Sequence, residues 1–166
     1  MAGAAPRRRD VWRNIVFVVV VPGVVGGLLP WLITGYVLHD WGAWAWLIVP
    51  VAAALIAAGA AVLLHGVWRF ATEGRGTPAP IAPTEDLVVG GPYRYVRNPM
   101  YLGVGAVILG QALLSPSWAI AAYALLFLVA VFAFVRLYEE PTLLRVHGEA
   151  YARYRAEVPG WWPRRP

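Results

Sequence analysis

The sequence predicts an all-α integral membrane protein with four transmembrane helices, a C-terminal interfacial helix and a site on the cytoplasmic side. Three observations predict it. Of 166 residues, 60% are hydrophobic and 14% charged, where soluble domains average about 45–50% and about 25%; the mean hydropathy is +0.59. The apolar residues gather into four nearly uncharged runs. All 14 basic residues are arginines, and they lie on one side of those runs. The length fits a single domain, residues 1–166. With no cysteine, disulfide frameworks, zinc–thiolate and iron–sulfur sites and thiol nucleophiles are excluded.

A bilayer core takes about 20 mainly apolar residues per helix. Residues 15–38 carry no charge and form the first span. Residues 43–64 form the second, with Pro50 expected to kink it. Residues 99–114 and 118–138 form a helical hairpin across the short turn Ser115-Pro116-Ser117. Arg7, Arg8, Arg9 and Arg13 precede the first span, Arg69, Arg75, Arg94 and Arg97 lie between the second and third, and the remaining six end or follow the fourth. Neither short loop opposite holds a basic residue, so both termini and the loop 71–98 are expected in the cytoplasm. Trp31, Tyr36, Trp41, Trp44, Trp46 and Trp118 then form an outer aromatic belt.

A cleaved signal peptide fits the basic start less well, because the first apolar run is too long and no A-x-A site follows it. Gly23 and Gly27, with the stripe Ala53, Ala57 and Ala61, suit close helix packing within the chain or in a dimer; the oligomeric state stays open. Arginine without lysine, with abundant Ala, Gly and Val, suggests a GC-rich bacterial genome and so a bacterial cytoplasmic membrane.

The outer loops offer His39, Asp40 and a few hydroxyls, so chemistry is expected on the cytoplasmic side, in the loop 71–98 and the tail 139–166. The loop opens with the Pro/Gly stretch 74–80 and ends in Asn98-Pro99, where Asn98 is expected as N-cap and Pro99 as first helical residue. That helix end can hold an anionic group, although helix initiation alone explains the pair. In the tail, Arg136 lies three and four residues before Glu139 and Glu140 and can pair with either. A salt bridge closing the span accounts for this, yet adjacent acids at a membrane edge are also functional candidates. His39, His65 and His147 lack metal-ligand spacing, so no metal is expected. Phosphate-binding, dinucleotide and nucleophile-elbow motifs are missing. The arginines flank spans, which favours topology and anionic lipid over nucleic acid.

Taken together, Gly91, Tyr93, Arg97, Pro99, Tyr101 and Gly103, then Glu139, Glu140, Leu143, Gly148, Tyr151, Tyr154, Val158 and Pro159, resemble in order the signature of the isoprenylcysteine carboxyl methyltransferase and phospholipid methyltransferase families. Asn98 stands where the isoprenylcysteine enzymes carry His, and Val146-His147 replaces the aromatic residue before Gly148. The resemblance implies an S-adenosylmethionine-dependent methyltransferase that takes its cofactor from the cytoplasm and a lipophilic small-molecule or lipid acceptor from the bilayer. By position it implies Leu87, Val88 and Tyr93 against the adenosine, and Asn98, Pro99, Met100 and Tyr101 along the cofactor. Glu139 is implied as a ligand from the opposite side, with Glu140 as second choice. Arg97 and Arg136 are the candidate catalytic residues, Arg136 one residue out of register with an acceptor-holding arginine of the isoprenylcysteine enzymes. The alternatives are a sterol-reductase-like enzyme using a reduced nicotinamide phosphate and a non-catalytic membrane scaffold of the same fold.

Overall fold

The computed structural model describes residues 20–73 and 86–163, and among them all regular structure is helical. The expectations for Arg7 to Arg13, residues 15–19, the Pro/Gly stretch 74–80 and Arg164 and Arg165 lie outside the described residues. Helix α1 covers Val20–Thr34, α2 Ala45–Glu73, α3 Pro99–Leu114, α4 Trp118–His147 and α5 Glu149–Glu157. Among the described residues two helices, Gly42–Arg69 and Trp118–His147, are long and apolar enough to cross a membrane. α3, with 16 residues, reaches only about 24 Å at ~1.5 Å per residue.

Helices α2 and α3 approach at glycine. A Cβ on Gly103 would lie 2.7 Å from the Gly59 carbonyl, and one on Gly110 would lie 2.8 Å from the Ala52 carbonyl. No side chain fits there, so the two backbones touch. The expected packing residues are displaced from this seam: nothing described lies within 4 Å of a Cβ at Gly23 or Gly27, and Ala53, Ala57 and Ala61 are exposed. The buried face of α2 instead carries Ala52 and Gly59, turned away from the alanine stripe. Val104 and Ile108 of α3 with Ala124 of α4 form the core, joined by Val25, Leu63, Tyr123 and Phe127.

Two helices contain a π-turn, one extra residue in the helical ladder. In α1 it spans Val24–Leu28 and frees carbonyls that side chains then satisfy. Tyr123 Oη donates to Val25 O, Gln111 Nε2 to Gly26 O at 2.7 Å and Tyr36 Oη to Gly27 O at 3.1 Å. The connection after α1 closes the far end of α3: the His39 amide donates to Leu114 O at 2.8 Å and Trp41 Nε1 to Leu113 O at 3.0 Å. These are carbonyls that the last turn of a helix leaves without a partner.

The second π-turn, Val135–Glu139, lies in α4 and ends beside Pro141. The span is expected to end at residue 138, and the helix itself continues past it through Pro141 to His147. Its missing N–H falls where the ladder is already interrupted. Likewise α2 runs on to Glu73, nine residues past the expected boundary at 64.

Candidate functional site

The polar end of the bundle is assembled from the start of α3, the second π-turn, α5 and the chain that follows it. After the described residues resume, the Gly90 amide donates to Glu73 Oε2 at 3.2 Å, tying this segment to the end of α2, where Arg69 pairs with Glu73. Gly91 has φ +57°, and a Cβ there would lie 2.9 Å from His65 Nε2. Glycine is needed for both the backbone angle and the space. A 3-10 turn, Gly91–Arg94, then buries Tyr93. A Cβ on Gly66 would meet Met100 Cγ at 2.8 Å and Tyr93 Oη at 3.4 Å, so α2 seats Tyr93 and Met100 together.

The adjacent acids of the π-turn have different partners. Glu140 is a hub: its side chain is 7% exposed, with Arg97 Nη1 at 2.8 Å, Arg136 Nη1 at 3.1 Å and Arg155 Nη2 at 3.5 Å. Arg97 is itself buried at 11% exposure, whereas Arg136 and Arg155 keep 53% and 41%. Of the two partners that the sequence allows Arg136, it takes Glu140. Glu139 accepts instead from Tyr101 Oη at 2.7 Å, and among the described residues no arginine pairs with it. Glu140 is therefore neutralised by its surroundings, and Glu139 is a half-buried carboxylate held by one phenol.

Arg97 also fastens the tail. Its Nε donates to Val158 O at 2.9 Å, its amide to Pro159 O at 2.9 Å and its Nη1 to Tyr151 Oη at 3.0 Å. Asn98 departs from its expected role: it makes no side-chain cap, and its Nδ2 donates to Gly160 O at 3.0 Å. Its backbone, at φ −116° and ψ 49°, is outside the extended region that capping residues use, and its amide is committed to the tail. The Leu102 amide makes the first bond of α3, to Asn98 O at 3.2 Å. Pro99 has no N–H, so Met100 and Tyr101 supply the donors of an opening turn without a side-chain cap.

Three tyrosines frame this centre. Tyr154 Oη donates to Tyr93 O at 2.7 Å, and Tyr151 is buried against Arg97. Burial pushes the phenols of Tyr93, Tyr151 and Tyr154 above their ordinary range, with the Tyr154 and Glu139 charges adding to the effect at Tyr93. Glu139, Tyr93 and Tyr101 thus share one electrostatic environment. Leu87 is half-buried and Val88 buried just ahead of the turn, contributing apolar surface.

The sequence alone does not single out Arg155 or Gly160. Arg155 lies four residues after Tyr151 on α5, so helical spacing puts both on the face that meets Glu140. Nothing local marks Gly160, whose role is to let the tail approach Arg97 and Asn98: a Cβ would sit 3.3 Å from Arg97 Nη2. Among the described residues no group of three potential metal ligands occurs.

A family model described as phospholipid methyltransferase matches residues 32–150, from the end of α1 to the start of α5. No curated protein and no solved structure matches the chain.

Proposed function

The chain belongs to the phospholipid methyltransferase family, and from that premise we propose that it transfers a methyl group from S-adenosylmethionine to a lipophilic or lipid acceptor at the cytoplasmic membrane face. The observation that carries the reading is the division between the acids: Glu140 is enclosed by three arginines, and Glu139 faces the start of α3 with a phenol and, among the described residues, no arginine on it. S-adenosylmethionine brings an electrophilic methyl on a sulfonium, together with an ammonium and a carboxylate. Glu139 is the negative group suited to the ammonium. The amides of Met100 and Tyr101, at a helix N-terminus without a side-chain cap, suit the carboxylate. Tyr93, Leu87 and Val88 supply the apolar and aromatic surface for the adenosine.

Methyl transfer is an in-line displacement, so alignment matters more than proton transfer. The residues fit that demand. Asn98 is no base, and Arg97 is spent on the buried carboxylate and the tail, which makes it a positioning residue. Arg136, half-exposed beside Glu140, is the group suited to an anionic part of the acceptor. In this reading helices α1–α4 cross the bilayer, both termini are cytoplasmic, and the acceptor enters from the lipid. The exposed Leu125, Leu126 and Phe132 of α4 fit a lipid-facing wall.

Titration of detergent-solubilised protein with S-adenosylmethionine and, separately, a reduced nicotinamide phosphate tests the proposal. The expected result is saturable binding of the first alone, weakened by Glu139→Gln at least about tenfold, since a charge-assisted contact contributes about 1.5–3 kcal/mol. Binding of the nicotinamide alone identifies a reductase, and binding of neither identifies a scaffold; either result overturns the reading.

A further inference from the structure

At the end of the bundle remote from Glu139 lies a cavity of about 330 Å³, walled among others by Tyr36, Ile56, Val107, Gln111, Leu114 and Ser115. Gln111 lies ten residues beyond Tyr101 on the same helix, about 15 Å at the α-helical rise, so this is a separate place from the methyl-transfer site. The volume falls at the lower end of ligand pockets, roughly 300–1,000 Å³, and the walls are almost entirely apolar.

The few polar groups have one property in common: their donors are already used. Tyr36 Oη donates to Gly27 O, and Ser115 Oγ to Val37 O. Gln111 Nε2 donates to both Gly26 O at 2.7 Å and Val107 O at 3.1 Å. Those two carbonyls fix the amide orientation, because a flipped Gln111 would set oxygen against oxygen. Its Oε1 is left without a donor among the described residues, on a buried side chain that lines the space. The chemistry left facing the space is acceptor only. A carboxylate or phosphate would meet repulsion there, whereas a hydroxyl can donate.

The wall is also strained. Tyr36 is a non-glycine residue at φ 53°, directly after Gly35 at φ 58°, a conformation that costs about 1–2 kcal/mol. Its amide bond to Thr34 Oγ1 and its phenol bond to the π-turn hold it there. The strain belongs to the turn that ends α1, where Gly35 is the left-handed C-cap, and that turn sets the Tyr36 phenol on the cavity wall.

We propose that this cavity binds a neutral long-chain alcohol drawn from the bilayer, its hydroxyl donating to Gln111 Oε1 and its chain lying along Ile56 and Val107. The full-length protein in phospholipid nanodiscs is photolabelled with diazirine analogues of dodecanol and dodecanoate, and the adducts are mapped by peptide mass spectrometry. The alcohol should label the segments around Ile56 and Val107 about tenfold more than the carboxylate, the difference expected of one buried hydrogen bond, and unlabelled dodecanol should compete. Val107→Phe, which fills the space, should remove this labelling while labelling at the exposed Leu125 and Leu126 of α4 persists. Leu114→Phe at the rim serves the same purpose should the first variant not fold. Gln111→Leu should erase the preference for alcohol over carboxylate. Equal labelling by both probes, or cavity labelling indifferent to competitor and to both phenylalanine variants, overturns the proposal.

Discussion

The same backbone irregularity appears twice and does opposite things. The π-turn of α1 opens its ladder to three neutral donors, Tyr123, Gln111 and Tyr36, and so pins α1 to α3, α4 and its own C-terminal turn. The π-turn of α4 carries charge: it sends Glu140 into a nest of arginines and presents Glu139 to α3. An extra residue in a helix frees hydrogen-bonding groups and shifts the side chains that follow. Filled by neutral partners it is a rivet; loaded with acids it separates two neighbouring carboxylates into different environments. The contrast predicts that damage to the acidic turn divides by residue, one acid governing the fold and the other the ligand.

Glu140→Ala should have the largest effect on stability. It strands Arg97 beneath the tail with no counter-charge, and an uncompensated buried charge costs about 3–5 kcal/mol. Thermal unfolding in detergent should drop by roughly 10 °C, at ~2–4 °C per kcal/mol for this size. Arg136→Ala, which removes a half-exposed partner of the same carboxylate, should cost less than about 1 kcal/mol. A Glu140→Ala protein as stable as the parent would deny Glu140 its place as hub. Glu139→Gln, by contrast, should leave the unfolding temperature nearly unchanged.

The outline of the fold could be read from sequence because its causes are local. Proline and apolar run length place the start and end of α3 at Pro99 and Leu114, and Ser117 caps α4 through a bond from the Ile120 amide. The acids, Arg97 and the tyrosines were also visible as residues. Which acid does what was not, because the deciding partners, Arg97, Arg155 and Tyr101, come from other helices. Asn98 had the composition of a cap, yet its amide is taken by Gly160, 62 residues away. The π-turns stayed hidden for the same reason: their stabilising donors arrive from distant segments.

The glycines separate the two regions next. Gly103→Leu places carbon where the Gly59 carbonyl and the Leu63 amide already are, so α2 and α3 must part. Overpacking of this kind costs about 1–3 kcal/mol. Because α3 carries both the opening turn at Met100 and the cavity wall at Gln111, the substitution should weaken ligand binding at both ends. Gly27→Ala meets nothing among the described residues and replaces a helical glycine, so it should stabilise by up to about 1 kcal/mol. Equal stability losses for the two variants would mean that the seam lies elsewhere.

Alkaline pH isolates the smallest effect, and the composition makes it readable. The chain has 14 arginines and no lysine; arginine stays charged above pH ~12, so between about pH 9 and 12 the phenols are the side chains that titrate. Burial raises Tyr93 and Tyr154 in the folded protein. A raised folded value means that their stabilisation is fully present below the unfolded pKa, about 10, and is lost as pH climbs from there towards the folded value. The unfolding temperature should therefore stay level up to about pH 10 and fall beyond it. Tyr154 donates to the Tyr93 carbonyl, a bond that a phenolate cannot make. Tyr154→Phe should cost about 1 kcal/mol at neutral pH and make the alkaline decline shallower. An unchanged slope would move the alkaline sensitivity away from Tyr154 and its bond to the Tyr93 carbonyl.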